Sequence, residues 1–217
     1  MGCEDKMDEI FEKIEVDKRE RIINSAFEEF SKNGYENAST NVIVKNAKIS
    51  KGLLFHYFGN KLELYNKLSE FAMQTITESI SKKIDWNITD FFERIKQVII
   101  IKVELTKEYP YIYKFFKEIF KGKSIEEIRK LTDKESEELA KKAYSYHIDF
   151  SMFKEEFDLV TTMNIIRWTL EKMGEELWDK MILNEEMFTI KEMEQETDKY
   201  IRILRKTFYK EEMEELK

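Results

Sequence analysis

The chain has 217 residues, 42% of them apolar and 37% charged, with a formal net charge of −7. That apolar share supports a sizeable core in one large domain or in a small domain joined to a larger one, but the longest aliphatic run, 98–101, falls far short of the roughly 20 residues of a membrane helix. The acidic opening lacks the apolar stretch of a secretory signal, the only cysteine, Cys3, excludes an internal disulfide and suits a reducing cytoplasm, and the negative balance argues against indiscriminate coating of nucleic acid.

Residues 1–16 read as an N-terminal extension. Their Met-Gly-Cys start is not expected to be lipidated, because the myristoylation pattern wants Ser or Thr where Lys6 stands. One proline and six glycines punctuate the whole chain, and three of those glycines, Gly34, Gly52 and Gly59, fall within 26 residues. Few breakers and many Glu, Lys, Leu, Ile and Met favour helix throughout. Short helices with tight turns are expected around the glycines and long helices elsewhere.

The first helix is predicted over 17–33. Ile22, Ile23, Ala26, Phe27 and Phe30 form one apolar stripe, and Gly34 follows as a stop. Ser39 is the expected cap of a second helix ending near Ala47, and Ser50 of a third over 51–58. Gly59 and Asn60 break the chain before a long helix from Lys61, with Leu64, Leu68, Phe71, Thr75 and Ile76 facing inward. Further helices are predicted over 89–107, from Pro110 in a first turn to Gly122, and over 124–146, 154–183 and 186–217.

Two short helices joined by a few residues beside a stabilising first helix make a helix-turn-helix. Ile43, Ala47, Ile49, Leu54 and Phe58 would clamp the pair. Ser39, Thr40, Asn41 and Lys45 on one helix, and Lys51, Leu53, His56 and Tyr57 on the other, are then left outside. Hydroxyls and helix-start N–H groups bind phosphate oxygens, lysines add salt-dependent attraction, and Gly52 lets a duplex approach the backbone. From Lys32 to Lys61 five lysines face a single glutamate, a net +4, so the rest of the chain carries −11.

This segment, RIINSAFEEFSKNGYENASTNVIVKNAKISKGLLFHYFGNKLELY, resembles the TetR-like one-component transcriptional repressors. The resemblance rests on Ala26, Phe30, Gly34, Tyr35, Ile43, Ala47, Ser50, Lys51, Gly52, Leu54, Tyr57, Phe58, Lys61 and Leu64 in fixed register. It covers about a fifth of the chain. It implies an all-α protein, with a DNA-binding domain over 17–64 and a larger helical ligand-binding and dimerisation domain over 65–217. It also implies phosphate contacts from Ser39, Thr40, Tyr57 and Lys61, and base-edge contacts from Lys51, Gly52, Leu53 and His56. Three positions depart from the family's pattern. Lys48 stands where the turn usually has glycine, Phe55 replaces a frequent phosphate-binding tyrosine, and Leu53 replaces a common threonine.

The resemblance further implies that the acidic remainder pairs with itself as a homodimer and encloses a small lipophilic effector. Phe91, Tyr109, Tyr113, Phe116, Phe120, Tyr144, Phe153 and Trp168 are the candidate pocket lining. Glu104, Glu108 or Glu118 would make a wall for a lipophilic cation, and without them a neutral or acyl ligand fits equally. Ile165, Met173, Leu177, Tyr200, Leu204 and Phe208 are candidates for a four-helix dimer interface, since a helix apolar on two sides packs against two things. Enzyme readings fare poorly: two histidines and one cysteine cannot make a usual zinc site, and no Gly-rich phosphate loop or serine elbow is present. No cofactor or metal is expected, nor a membrane partner. The rival class is a helical protein-binding adaptor whose basic segment serves no DNA.

Overall fold

The computed structural model describes residues 14–132, 134–184 and 190–210. The lipidation reading and most of the N-terminal extension lie outside them. Among the described residues the chain is all-α, its one β-type pairing an isolated bridge between Phe153 and Tyr209. The helices are α1 (Val16–Asn37), α2 (Thr40–Ala47), α3 (Lys51–Phe58), α4 (Lys61–Lys83), α5 (Phe91–Glu108), α6 (Ile112–Phe120), α7 (Ile125–Leu131), α8 (Lys134–Ser145), α9 (Leu159–Asn184) and α10 (Ile190–Phe208), with a 3-10 turn at Phe150–Met152. They form two compact units, Met1–Ser79 with Leu105–Glu137, and Ile80–Glu104 with Glu138–Lys217.

The first unit is built on the predicted stripe of α1, where Ile22, Ile23, Ala26, Phe27 and Phe30 are fully buried. Phe27 and Phe30 meet Phe115 of α6, with ring centroids 4.9 and 6.1 Å away. Tyr65 of α4 packs edge-on to Phe30 at 5.1 Å, and Leu64 and Leu68 of the same helix are fully buried. Burying one such aromatic side chain contributes about 1.5–3 kcal/mol, which makes this cluster the main support of the short helices. Gly34 breaks α1 as expected: at φ 67° and ψ 173° it is not helical, and a short further stretch of helix follows it to Asn37 across a kink. Only glycine fits there, because the left-handed φ strains other residues and an added Cβ would come within 3.1 Å of the Glu118 carboxylate.

In the second unit Phe91, Phe92, Ile95, Ile166, Leu170, Met173, Ile201, Phe208 and Tyr209 share one core. Ile84, Val98, Ile101 and Ala143 form a smaller one. The chain end is tied to the start of α5. The Tyr209 hydroxyl accepts the Phe91 N–H at 3.1 Å, and Arg205 forks onto Asp90 at 2.7 and 2.8 Å. Arg94 is fully buried, yet it serves backbone: its guanidinium donates to the carbonyls of Ile88 (2.6 Å), Trp86 (3.3 Å) and Tyr146 (3.4 Å). Those three bonds join the turn before α5 to the turn after α8.

Several helix limits differ from expectation for local reasons. Pro110 precedes α6 instead of opening its first turn, and Tyr111 takes the N-cap place. The predicted helix over 124–146 is two helices. Ser124 and Glu127 form a capping box at the start of α7, and α7 ends with an extended Thr132. The long helix begins at Leu159, not 154, because the Asp158 carboxylate accepts the Thr161 N–H at 2.8 Å as an N-cap.

Candidate nucleic-acid interface

The turn between α2 and α3 is fixed by backbone geometry. Lys48 is left-handed, at φ 55° and ψ 47°, and the N–H groups of Lys48 and Ile49 close back on the carbonyls of Lys45 and Val44. That is the conformation its departure from glycine anticipates. Ser50 caps α3 as expected, its hydroxyl accepting the Leu53 N–H at 3.1 Å. Leu54 and Phe58 then face inward while Lys51, Gly52 and His56 are exposed and Leu53, Phe55 and Tyr57 half-exposed. On α2, Ile43 and Ala47 are buried, and Asn41 and Lys45 are exposed. Ser50 is exposed, and Ser39, Thr40 and Lys61 are half-exposed.

Ser39 does not cap α2 with its side chain. The buried carboxylate of Glu29 accepts the Ser39 N–H instead, at 2.8 Å, and sequence periodicity alone gave no sign of it. Arg21, also unanticipated, donates from Nε to the Ala47 carbonyl at 3.2 Å and places positive charge at the C-terminal end of α2. These two bonds set α2 on α1. Lys61 is partly engaged within the unit: its ammonium donates to the Glu36 carbonyl at 3.1 Å and lies 4.9 Å from the Tyr35 ring. Phe55 gains a role that no hydroxyl is needed for, since the Lys51 ammonium sits 5.8 Å from its ring centroid. No carboxylate occurs between Glu36 and Glu63 in the sequence, so the outward face of both helices carries only positive and neutral groups.

The candidate effector residues are shared between the two units. Tyr109, Tyr113, Phe116 and Phe120 belong to the first unit, and Phe91, Tyr144, Phe153 and Trp168 to the second. Tyr109 packs edge-on to Phe71 at 5.4 Å, Phe116 faces Phe120 at 4.9 Å, and Phe91 and Phe153 are inside the second core. Trp168 is 59% exposed on the outer side of α9, so it walls no interior space in the single chain. Two open grooves are lined otherwise, one in the first unit by Arg21, Asn24, Glu28, Lys107 and Tyr111 among others, one in the second by Lys83, Lys96, Gln97 and Glu104 among others.

Of the candidate dimer residues, Ile165 and Tyr200 are exposed, while Leu177 and Leu204 lean against the second core. Met173 and Phe208 are buried in that core and are not open to a partner. Met173 shares the Ile166–Leu170 stripe, which turns it inward.

The arrangement is that of an all-α protein headed by a helix-turn-helix. Residues 22–68 match the family model described as bacterial regulatory proteins, tetR family. The chain is 32% identical over 122 residues to the HTH-type transcriptional regulator QacR of Staphylococcus aureus, covering 54% of this chain and 63% of that one. It is 21% identical over 105 residues to the uncharacterized HTH-type transcriptional regulator YhgD of Bacillus subtilis, covering 48% and 54%. Matches to the curated relatives thus span less than two thirds of those proteins. Two solved structures share the fold across nearly the whole chain. A TetR family transcriptional regulator from Chloroflexus aurantiacus has a TM-score of 0.60 at 18% identity, covering 93% of this chain and 98% of that one. The ketosteroid transcriptional regulator KstR2 of Mycobacterium tuberculosis has a TM-score of 0.58 at 15% identity, covering 97% and 98%. Residues 22–68 thus carry the DNA-binding segment of the tetR family, and the chain as a whole has the fold of TetR-like regulators. Among the described residues no helix is long and apolar enough to cross a membrane, and no cluster of potential metal ligands occurs.

Proposed function

We propose that this protein is a ligand-responsive transcriptional repressor that works in the cytoplasm and binds a near-palindromic operator as a homodimer. Residues 17–64 bind the DNA, and residues 65–217 dimerise and hold a small lipophilic effector that releases the operator. The protein binds and turns nothing over. One observation carries this reading. The outward face of α3 presents Lys51, Gly52 and His56 to solvent while Leu54 and Phe58 anchor its back.

A helix so mounted enters a major groove, and two-fold symmetry places a second copy about 34–36 Å away. Ser39, Thr40, Tyr57 and Lys61 then meet phosphates, Lys51, Gly52, Leu53 and His56 face base edges, and Asn41, Lys45 and Ser50 lie beside them on the same face. An effector that binds better to a state with the wrong spacing lowers operator affinity by linkage. The test is a mobility shift with the DNA upstream of the chain's own reading frame. A retarded band at low salt is expected, abolished by Lys51→Ala combined with Tyr57→Phe. A folded dimer that shifts no DNA at low salt excludes the repressor and leaves the adaptor.

A further inference from the structure

The centre of the outward face of α3 holds no lysine. At about 100° of rotation per residue, Gly52, Leu53 and His56 lie farthest round the helix from the buried pair Leu54 and Phe58, with Lys51 to one side and Tyr57 to the other. Gly52 is not required there by the fold. Its backbone is helical, without the positive φ of Gly34, Gly59 and Gly122. An added Cβ would meet nothing closer than the Ser50 Oγ, at 4.0 Å, an ordinary contact. A helix loses stability at glycine relative to alanine, so the missing side chain serves a surface that comes up against the chain from outside.

Leu53 stands next to that gap. It is half-exposed, whereas Leu54 beside it is fully buried. Its N–H is given to the Ser50 hydroxyl at 3.1 Å, so what it offers outward is an isobutyl group alone. Phe55 is half-exposed too, but it lies on the Lys51 side of the helix, with its ring centroid 5.8 Å from that ammonium. An exposed leucine on a protein surface means little by itself. One at the centre of a face that meets DNA has to be matched by the bases beneath it.

We infer that Leu53 reads thymine: its isobutyl group packs on the C5-methyl of one T·A pair in each half-site, and Gly52 lets the helix come close enough for that contact. The inference rests on reading α3 as the helix that enters the major groove. Base edges in that groove display donors, acceptors and one apolar group, the thymine methyl. A donor or acceptor placed under Leu53 would lose its water and gain no bond, which disfavours the other three bases there. The methyl gains burial instead. His56, three residues on, shares the face and supplies hydrogen bonding to a neighbouring pair.

Duplexes enriched from a random-sequence pool by the full chain supply the operator for the test. Each thymine in it is replaced in turn by deoxyuridine, which deletes the methyl and leaves the hydrogen-bonding edge unchanged. Fluorescence anisotropy at fixed salt reads the affinities. One thymine in each half-site is expected to be methyl-sensitive, by about fourfold per methyl. Leu53→Ala binds the thymine and uracil forms equally at that position, and it keeps the cap of α3, which uses the backbone N–H. Gly52→Ala is expected to melt no lower than the unaltered protein while losing at least about tenfold in operator affinity. Uracil tolerated at every position by the unaltered protein, or a methyl effect that Leu53→Ala leaves intact, overturns the thymine reading and leaves the repressor standing. Full operator affinity in Gly52→Ala overturns the close approach. A pool in which no sequence is enriched overturns the repressor, and this inference with it.

Discussion

The Glu29 carboxylate accepts the backbone N–H of Ser39, ten positions along the chain, at 2.8 Å, and so caps α2 from α1. Glu29 is buried, at 7% exposure, and the N–H it receives is one of those a helix start leaves unmet. Glu29→Ala strands that donor at a cost of about 1–3 kcal/mol. It also loosens the seat of α2, so operator affinity falls although residue 29 touches no DNA. Urea denaturation and a mobility shift, run together, check this. Unchanged stability would show that water replaces the carboxylate without loss.

Lys48 holds a left-handed turn in which most side chains are strained. Lys48→Gly relieves the strain and is expected to stabilise the protein by up to about 1 kcal/mol, while Lys48→Val destabilises it. The glycine variant nevertheless binds operator more weakly at low salt, because a positive charge has gone. Stability rising while affinity falls separates the two roles of this lysine. Thermal melting and the mobility shift measure them independently.

Lys51 tests the electrostatic part of recognition. If its ammonium, beside the base edges, also neutralises a phosphate, Lys51→Ala lowers the slope of log affinity against log salt by about 0.9 and weakens specific and nonspecific DNA alike. His56→Ala, at a base edge, reduces discrimination between operator and unrelated DNA with little change in slope. Fluorescence anisotropy across a salt series reads both. Identical slopes for the Lys51 variant and the unaltered protein would remove Lys51 from the phosphate contacts.

How much of this was readable beforehand depended on range. The α1 stripe and the Ser50 cap are local, set by periodicity or by one residue's neighbours, and they follow from spacing; the left-handed Lys48 follows from the resemblance, which puts glycine in that turn. The break at Gly34 is equally local, a glycine after the apolar stripe, whereas the Glu118 carboxylate that crowds a Cβ there comes from a distant segment. The Glu29–Ser39 bond and the three-carbonyl seat of Arg94 join separate segments, and charge patterning represents both side chains as solvated. Aromatic identity marks an interior without saying which one, so the eight pocket candidates fell into two units. Lys102 looks in sequence like any surface lysine, and only the packing of α5 places it deep.

Lys102 gives a pH dependence with a definite sign. Burial disfavours its ammonium and outweighs the attraction of Glu171, Arg167 opposes the charge further, and Glu175 restores a part, so the folded pKa lies below the ordinary 10.5. Between those two values the unfolded chain binds the extra proton, and stability rises with pH across that window. Below it both states are charged and the full penalty remains; above 10.5 it is gone. Lys102→Met should therefore be more stable than the unaltered protein at neutral pH, with the advantage shrinking as pH approaches 10.5. Denaturation midpoints at several pH values decide it. A gap independent of pH means the amine is as well served inside as in water.

The outer side of the second unit shows Val160, Trp168 and Ile203 at 67%, 59% and 68% exposure, with Ile165 and Tyr200 near 40%. These residues of α9 and α10 contribute nothing to their own core, and large apolar groups left outside in this number mark an interaction surface. If the homodimer closes here, Trp168 is its natural anchor, and truncating such an anchor costs about 2 kcal/mol or more. Trp168→Glu adds an unpaired charge and should raise the dimer dissociation constant by about 30-fold or more, read by sedimentation equilibrium. The same variant keeps its helix content and thermal midpoint, because the side chain is outside the core. It loses tight binding to a two-half-site operator yet retains its weak affinity for one half-site. A Trp168→Glu protein that remains a tight dimer would move the interface to another face of the molecule.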